Sequence, residues 1–202
     1  MHHRPMAGLG IGMGLGIGST NSRPPLKTNG DPSLLLQTEL ILNEGITADG
    51  ALIRHLAIPW IEIQEQLRRD KSFIFQFARH PRKFEEFLAS CYDRAGFDVQ
   101  LTHQSGDLGR DLIATKPGRF SLRILDQAKA FSDGRVVGQN DVRAMMHVIN
   151  NDRAASKGYV TTTSTFAPGV YDEFKDYMPT RLELRDGKAL ADWIDELKDL
   201  KD

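Results

Sequence analysis

The sequence predicts an α/β fold with a mixed central sheet flanked by helices, in the order α-β-β-β-α-β-α-β-α. Three observations carry this reading. Apolar residues from Phe84 to Ala95 recur at helical spacing, three strand-like runs follow with hairpin-length links, and the C-terminal third alternates strand and helix patterns. Hairpin-linked strands pair antiparallel, whereas strand–helix–strand units add parallel strands.

The elements follow in chain order. Met6 to Thr20 reads MAGLGIGMGLGIGST, with glycine at nearly every second position. Such density raises the entropic cost of ordering and supplies few side chains to pack, so residues 1–32 read as a flexible arm. Arg4 precedes a mildly apolar run, but a secretory leader favours leucine and alanine over alternating glycine. A cytoplasmic location is the expectation. Residues 33–79 read as a helical lead-in packed on the domain that follows. Within it, His55 reads as a surface or capping residue, because no second histidine stands at metal spacing.

Residues 80–202 read as the main domain. Phe84, Phe87, Leu88, Cys91, Tyr92 and Ala95 fall on one helical face, and Gly96 stops the helix. Phe97 to His103 alternates as a strand, and Gln104 to Gly109 is a turn. Arg110 to Lys116 is a second strand, Pro117-Gly118-Arg119 a hairpin turn, and Phe120 to Ala130 a third strand. Val142, Met145, Met146 and Ile149 mark a second helix. Gly158 to Thr163 is a strand, Pro168 to Tyr177 a helix, Arg181 to Arg185 a strand, and Leu190 to Leu197 the face of a last helix.

Composition supports a folded core and limits the chemistry. Apolar residues make up 40% of the chain and charged residues 26%. No apolar run reaches the ~18 residues of a membrane-spanning helix, so no membrane partner is expected. A single cysteine, Cys91, excludes an internal disulfide and a cysteine-rich zinc site, and its place on the apolar face reads as a buried thiol. The net charge is −1, yet residues 71–160 hold 14 basic against 10 acidic residues. A positive face for a polyanionic partner is compatible with that distribution, as is an ordinary surface.

The third strand holds the residues best suited to chemistry. Period-two alternation places Gln127 and Lys129 on one face, with Leu122, Ile124 and Ala128 on the other. The short hairpin makes the preceding strand its neighbour, so Asp111 falls beside the pair. An Asp carboxylate, a Gln side-chain carbonyl and the Ala128 backbone carbonyl are hard oxygen ligands for Mg²⁺. A lysine there can orient water or stabilise charge developing at phosphorus. Strand geometry alone is equally met by a surface Asp–Lys pair, which is the commoner arrangement. On the first helix, Glu85 lies at the edge of the apolar face and Glu86 points towards solvent. Glu85 is therefore the acid expected to meet the sheet, or else a boundary residue favoured by the helix dipole. His103 and Arg143 are candidates for phosphate contact; a plain surface histidine and a helix-edge salt bridge are the alternatives.

Several runs together resemble the Mrr-type restriction endonuclease family. They are Phe84-Glu85-Glu86-Phe87-Leu88-Ala89, Gly96-Phe97-Asp98-Val99, Gly106-Asp107-Leu108-Gly109-Arg110-Asp111-Leu112-Ile113-Ala114, Asp126-Gln127-Ala128-Lys129 with Val137-Gly138 and Val142-Arg143, and Gly158 to Phe166. The likeness covers about residues 80–197 in order and spacing. It implies a restriction-endonuclease-like core of the PD-(D/E)xK superfamily. It also implies that Asp111 is the metal-binding acid, Lys129 the catalytic lysine and Glu85 the acid of the first helix. Gln127 stands where most of the superfamily has Asp or Glu, a variant typical of Mrr-like members that leaves one less negative charge for the metal. Leu108 departs from the usual glycine in the turn. The expected activity is metal-dependent hydrolysis of DNA phosphodiester bonds in restriction of foreign DNA, with Mg²⁺ as cofactor (Mn²⁺ substituting) and a homodimer on DNA. Rival readings are a DNA-binding module without cleavage, a repair or junction-resolving nuclease, and a subunit of a protein effector.

Overall fold

A computed structural model describes residues 31–103, 109–119 and 121–198. The Gly-rich arm, most of the turn ahead of Arg110 (Leu108 included) and Phe120 lie outside the described residues.

The chain enters through a 3₁₀ turn, Pro32–Gln37, and a hairpin of β1 (Ile41–Ile46) and β2 (Ala51–His55). Helix α1 (Ala57–Arg69), a 3₁₀ segment (Lys71–Arg79) and α2 (Pro81–Arg94) follow. Next come β3 (Asp98–Leu101), β4 (Leu112–Lys116), β5 (Leu122–Lys129), the two-residue β6 (Val136–Val137) and α3 (Gln139–Asn151). The chain closes with β7 (Lys157–Thr162), β8 (Thr165–Phe166), α4 (Pro168–Phe174), β9 (Leu182–Arg185) and α5 (Gly187–Leu197). From α2 onward the long elements have the expected order, with the pair β6–β8 as a small addition.

The main sheet has the order β1-β2-β3-β4-β5-β7-β9. β1 to β5 pair antiparallel, and β5-β7-β9 pair parallel. It is the mixed sheet expected, but seven strands wide. One apolar layer lies between the sheet and α1, the 3₁₀ segment, α2 and α5, and holds Trp60, Phe77, Phe84, Phe87, Leu88, Val99 and Leu112. The other lies under α3 and α4, and holds Ile113, Leu125, Val142, Met145, Val160 and Leu182.

The lead-in departs from the helical expectation. Its first half is the β1–β2 hairpin, which extends the sheet beside β3, and Leu36, Ile53 and Trp60 share a core with α2. The reason is local. β1 is an edge strand whose residues after Ile41 are exposed, and a bulge between Asn43 and Gly45 breaks its two-residue period. His55 is neither capping nor free on the surface: its Nδ1 lies 2.6 Å from Asp93, which also accepts from the His55 backbone amide and from Arg54.

Gly96 ends α2 as expected, at φ +80°. The Gly96 amide donates to Asp93 O and the Phe97 amide to Tyr92 O, while the Phe97 and Tyr92 rings meet edge to face at 5.7 Å. This is a Schellman end, which requires the left-handed conformation that glycine adopts without strain. Gly158 serves closeness instead: a Cβ there would lie 2.6 Å from Ile149, so its absence lets α3 settle on β7. Cys91 is wholly buried against the Trp60 indole, and burial pushes its thiol up to about 12.

Candidate active site

Asp111 and Lys129 sit at the same end of the adjacent strands β4 and β5. Leu112 pairs with Asp126, so Asp111, one residue before β4, stands opposite Gln127. The Asp111 amide donates to Asp126 O at 2.9 Å, and the Ala128 amide donates to Asp111 Oδ2 at 2.7 Å. Two backbone-anchored bonds therefore hold the Asp111 carboxylate against β5. The Ala128 carbonyl lies on the same edge of β5 as its amide, beside Asp111 and past the start of β4.

Alternation places Gln127 and Lys129 on the face of β5 that α3 covers. Lys129 Nζ lies 3.1 Å from Asp141 Oδ1, and the other Asp141 oxygen accepts from the Gly138 amide at the start of α3. Asp141 thus ties the lysine to a helix end and limits its rotamers. Gln127 Oε1 is buried with no hydrogen-bond partner among the described residues. Leaving such an acceptor dry costs about 1–3 kcal/mol, so it suits a cation or an ordered water. That orphaned oxygen, the Asp111 carboxylate and the Ala128 carbonyl form an oxygen donor set that fits a hard divalent ion. Among the described residues no three His, Cys, Asp or Glu side chains gather as a metal site, so an ion here would rest on one carboxylate and neutral oxygens.

Glu85 reaches this end of the sheet through a chain of contacts. It accepts from Arg82 at 2.6 Å, and Arg82 also donates to Thr102 O at 3.1 Å. The Thr102 amide and hydroxyl both donate to Asp111 O. Glu86 does not face solvent as expected. It pairs with Lys83 at 2.7 Å, and Lys83 also donates to Thr38 O, because the lead-in packs along that side of α2. The Arg143 guanidinium grips Glu173 of α4 at 2.6 and 2.7 Å and donates to Asn140 at 2.8 Å. His103 is exposed, one residue past Thr102.

Sequence reasoning passed over three features. Asp141 is the partner of Lys129. Asp126 lies behind the site, 1% exposed, where Oδ2 accepts from Tyr92 Oη at 2.9 Å and Thr161 Oγ1 at 2.8 Å and faces Arg185 at 3.6 Å. Burial raises its carboxyl above the usual range, against the opposing pull of Arg185 and the two hydroxyls. Thr162 and Thr163 anchor the end of β5: Thr162 Oγ1 donates to Lys129 O and Thr163 Oγ1 to Phe131 O. Their signal was present as a threonine-rich strand, which β-propensity alone also explains.

Residues 78–194, more than half of the chain, match the restriction endonuclease family Mrr_cat. No curated protein matches. Among solved structures, the chain is similar to the DNA modification-dependent restriction endonuclease AspBHI, at TM-score 0.50 and 17% identity over 67% of this chain and 39% of that one. It is also similar to restriction endonuclease FokI, at TM-score 0.50 and 11% identity over 71% of this chain and 28% of that one. Similarity to MspJI restriction endonuclease in complex with a 27-mer oligonucleotide is weaker, at TM-score 0.40 and 20% identity over 66% and 30%. The chain therefore spans less than half the length of these structures, and at such identity AspBHI and FokI show a shared fold. With the family match covering the strands that carry Asp111, Gln127 and Lys129, the chain belongs to the Mrr_cat restriction endonuclease family.

Proposed function

We propose that this chain is the catalytic domain of a metal-dependent DNA endonuclease that cuts phosphodiester bonds in restriction of foreign DNA. The observation that carries the reading is the placement of Asp111 and Lys129 at the same end of β4 and β5, with Gln127, whose side-chain oxygen has no partner among the described residues, opposite Asp111. Asp111, Gln127 and the Ala128 carbonyl would hold Mg²⁺ or Mn²⁺. When bound, such an ion supplies Lewis-acid stabilisation of the phosphoryl oxygens and a more acidic water. Lys129 keeps a cation at the reacting phosphate, where its ammonium orients the attacking water or offsets charge at phosphorus. Asp141 holds that ammonium in place, and Glu85 acts through Arg82 and Thr102 on the backbone of Asp111. Gln127 in place of a carboxylate lowers the charge of the donor set, so millimolar metal is the expected requirement.

The test is supercoiled plasmid incubated with Mg²⁺, Mn²⁺ or EDTA, for the unaltered chain and for Asp111→Asn and Lys129→Ala. Cleavage with metal alone, lost in both variants, is the expected result. Duplex binding without metal-stimulated cutting would instead assign a binding module that kept the fold. Methylated and unmethylated plasmids in parallel report any dependence on base modification.

A further inference from the structure

Two arginines, one next to Asp111 in the chain and one at the other end of β5, converge on one carboxylate that does not satisfy them. Arg110 immediately precedes Asp111, and Arg123 lies on the same face of β5 as Gln127 and Lys129. Arg110 Nη2 and Arg123 Nη2 each stand 3.6 Å from one oxygen of Asp49, in the turn between β1 and β2. Arg123 also lies 3.4 Å from Asp152 at the end of α3. Charge-assisted hydrogen bonds run to about 2.7–2.9 Å, so Asp49 offsets one of the two charges, and Asp152 the other, without filling the donors. Nε of Arg110 and Nε of Arg123 are both buried with no acceptor among the described residues. The oxygen of Gln100 is a third orphan on this face, since Gln100 pairs with Ile113 and Ile113 with Leu125.

The two guanidinium groups are largely buried, at 14% and 21% exposure, whereas Asp49 is 41% exposed on its turn. Thr47 closes that turn by bonding Gly50 O and the Asp49 amide. The cations are therefore the fixed half of the cluster, and the carboxylate is the half that presents itself from outside. A planar carboxylate at this distance leaves two N–H groups unanswered, and an oxyanion with more oxygens answers them.

We propose that Arg110 and Arg123 form a binding site for a phosphodiester of the DNA backbone other than the one cut, and that Asp49 of the β1–β2 hairpin occupies this site until DNA displaces it. The site rests on the reading that the chain acts on DNA. It also gives the hairpin a role, as a strand pair that carries a displaceable anion to the edge of the active face.

The experiment measures binding of a fluorescent duplex in EDTA, where cleavage is blocked, across a salt series. The chains are the unaltered protein, Arg110→Gln, Arg123→Gln and Asp49→Asn, each checked for an unchanged melting profile. Arg123→Gln and Arg110→Gln are expected to weaken binding by about tenfold and to lower the slope of log K against log salt by about one, the loss of one phosphate contact. Asp49→Asn is expected to tighten binding several-fold at low salt, a gain that a purely structural ion pair does not produce. Displacement of the duplex by millimolar inorganic phosphate at fixed ionic strength, in the unaltered chain but not in Arg123→Gln, would assign a free-anion site and overturn the backbone assignment. Unchanged affinity and slope in all three variants, with the unaltered chain binding and cutting DNA, overturns the site and leaves the nuclease reading standing. Failure of the unaltered chain to bind duplex overturns both.

Discussion

Asp126→Asn tests whether the ion pair behind β5 holds the strand that carries Gln127 and Lys129. Asp126 and Arg185 are 1% and 11% exposed and stand 3.6 Å apart. Asparagine keeps an oxygen for Tyr92 and Thr161 but not the charge that faces Arg185. At 3.6 Å and an effective dielectric of about 20, the attraction lost is about 4–5 kcal/mol. Removing the buried carboxylate returns more than this, because burial outweighs Arg185 and the two hydroxyls and leaves its charged form disfavoured in the folded chain. The guanidinium also keeps its places over Trp193 and Tyr159, at 4.0 and 4.6 Å. The charge of Asp126 is therefore no net source of stability at neutral pH, and Asp126→Asn is expected to leave the unfolding free energy within about 1 kcal/mol of the unaltered chain or above it. Urea unfolding followed by far-ultraviolet circular dichroism at neutral pH measures it. Arg185→Met alone leaves the carboxylate buried without its counter-ion and should cost about 3 kcal/mol, most of which Asp126→Asn should recover in the double variant. A loss of several kcal/mol for Asp126→Asn alone, or additive effects in the pair, would refute the reasoning. The pH profile adds a sign. The folded carboxyl binds its proton more tightly than the unfolded one, so this group's contribution is fullest at low pH. It declines as pH rises from 3.8 through the raised value, and Asp126→Asn removes that decline.

Three further outcomes are expected. Lys129→Ala should cut plasmid at least about a hundredfold more slowly with duplex binding largely kept, while Asp141→Asn should lower kcat with little change in KM, because it frees Lys129 without removing it. In metal titrations of cleavage, Gln127→Glu should shift the midpoint to lower Mg²⁺ and Gln127→Ala to higher; identical curves for both would remove Gln127 from the donor set. Asp93 is pulled towards a higher pKa by burial, but hydrogen bonds from His55 and the charge of Arg54 hold it below the usual range. It therefore contributes stability that is fully present above 3.8 and lost as pH falls through its lowered value, and acid unfolding of Asp93→Asn should lack that component.

The two faces of β5 explain why some of this architecture was legible in the sequence and some was not. Alternation in Leu125-Asp126-Gln127-Ala128-Lys129 determines which residues share a face, and the short hairpin places Asp111 beside them. Both inferences need only local geometry. Asp126 points the other way, and its partners Tyr92, Thr161 and Arg185 come from α2, β7 and β9. No periodicity within β5 announces a charge that is paired across three other elements. The same holds for Asp141, which reads as an ordinary first-turn acid until α3 folds back over Lys129. The β1–β2 hairpin was hidden for a different reason, since an exposed, bulged edge strand carries little alternation to read. These hidden parts share a physical role. A one-residue slip of β5 would carry Gln127 and Lys129 into the α2 layer and Asp126 towards α3. The Asp126 carboxylate finds its partners only on the α2 side, and Lys129 finds Asp141 only on the α3 side. The two polar groups on opposite faces therefore hold one register between them, and that register is the one in which Asp111 meets Gln127.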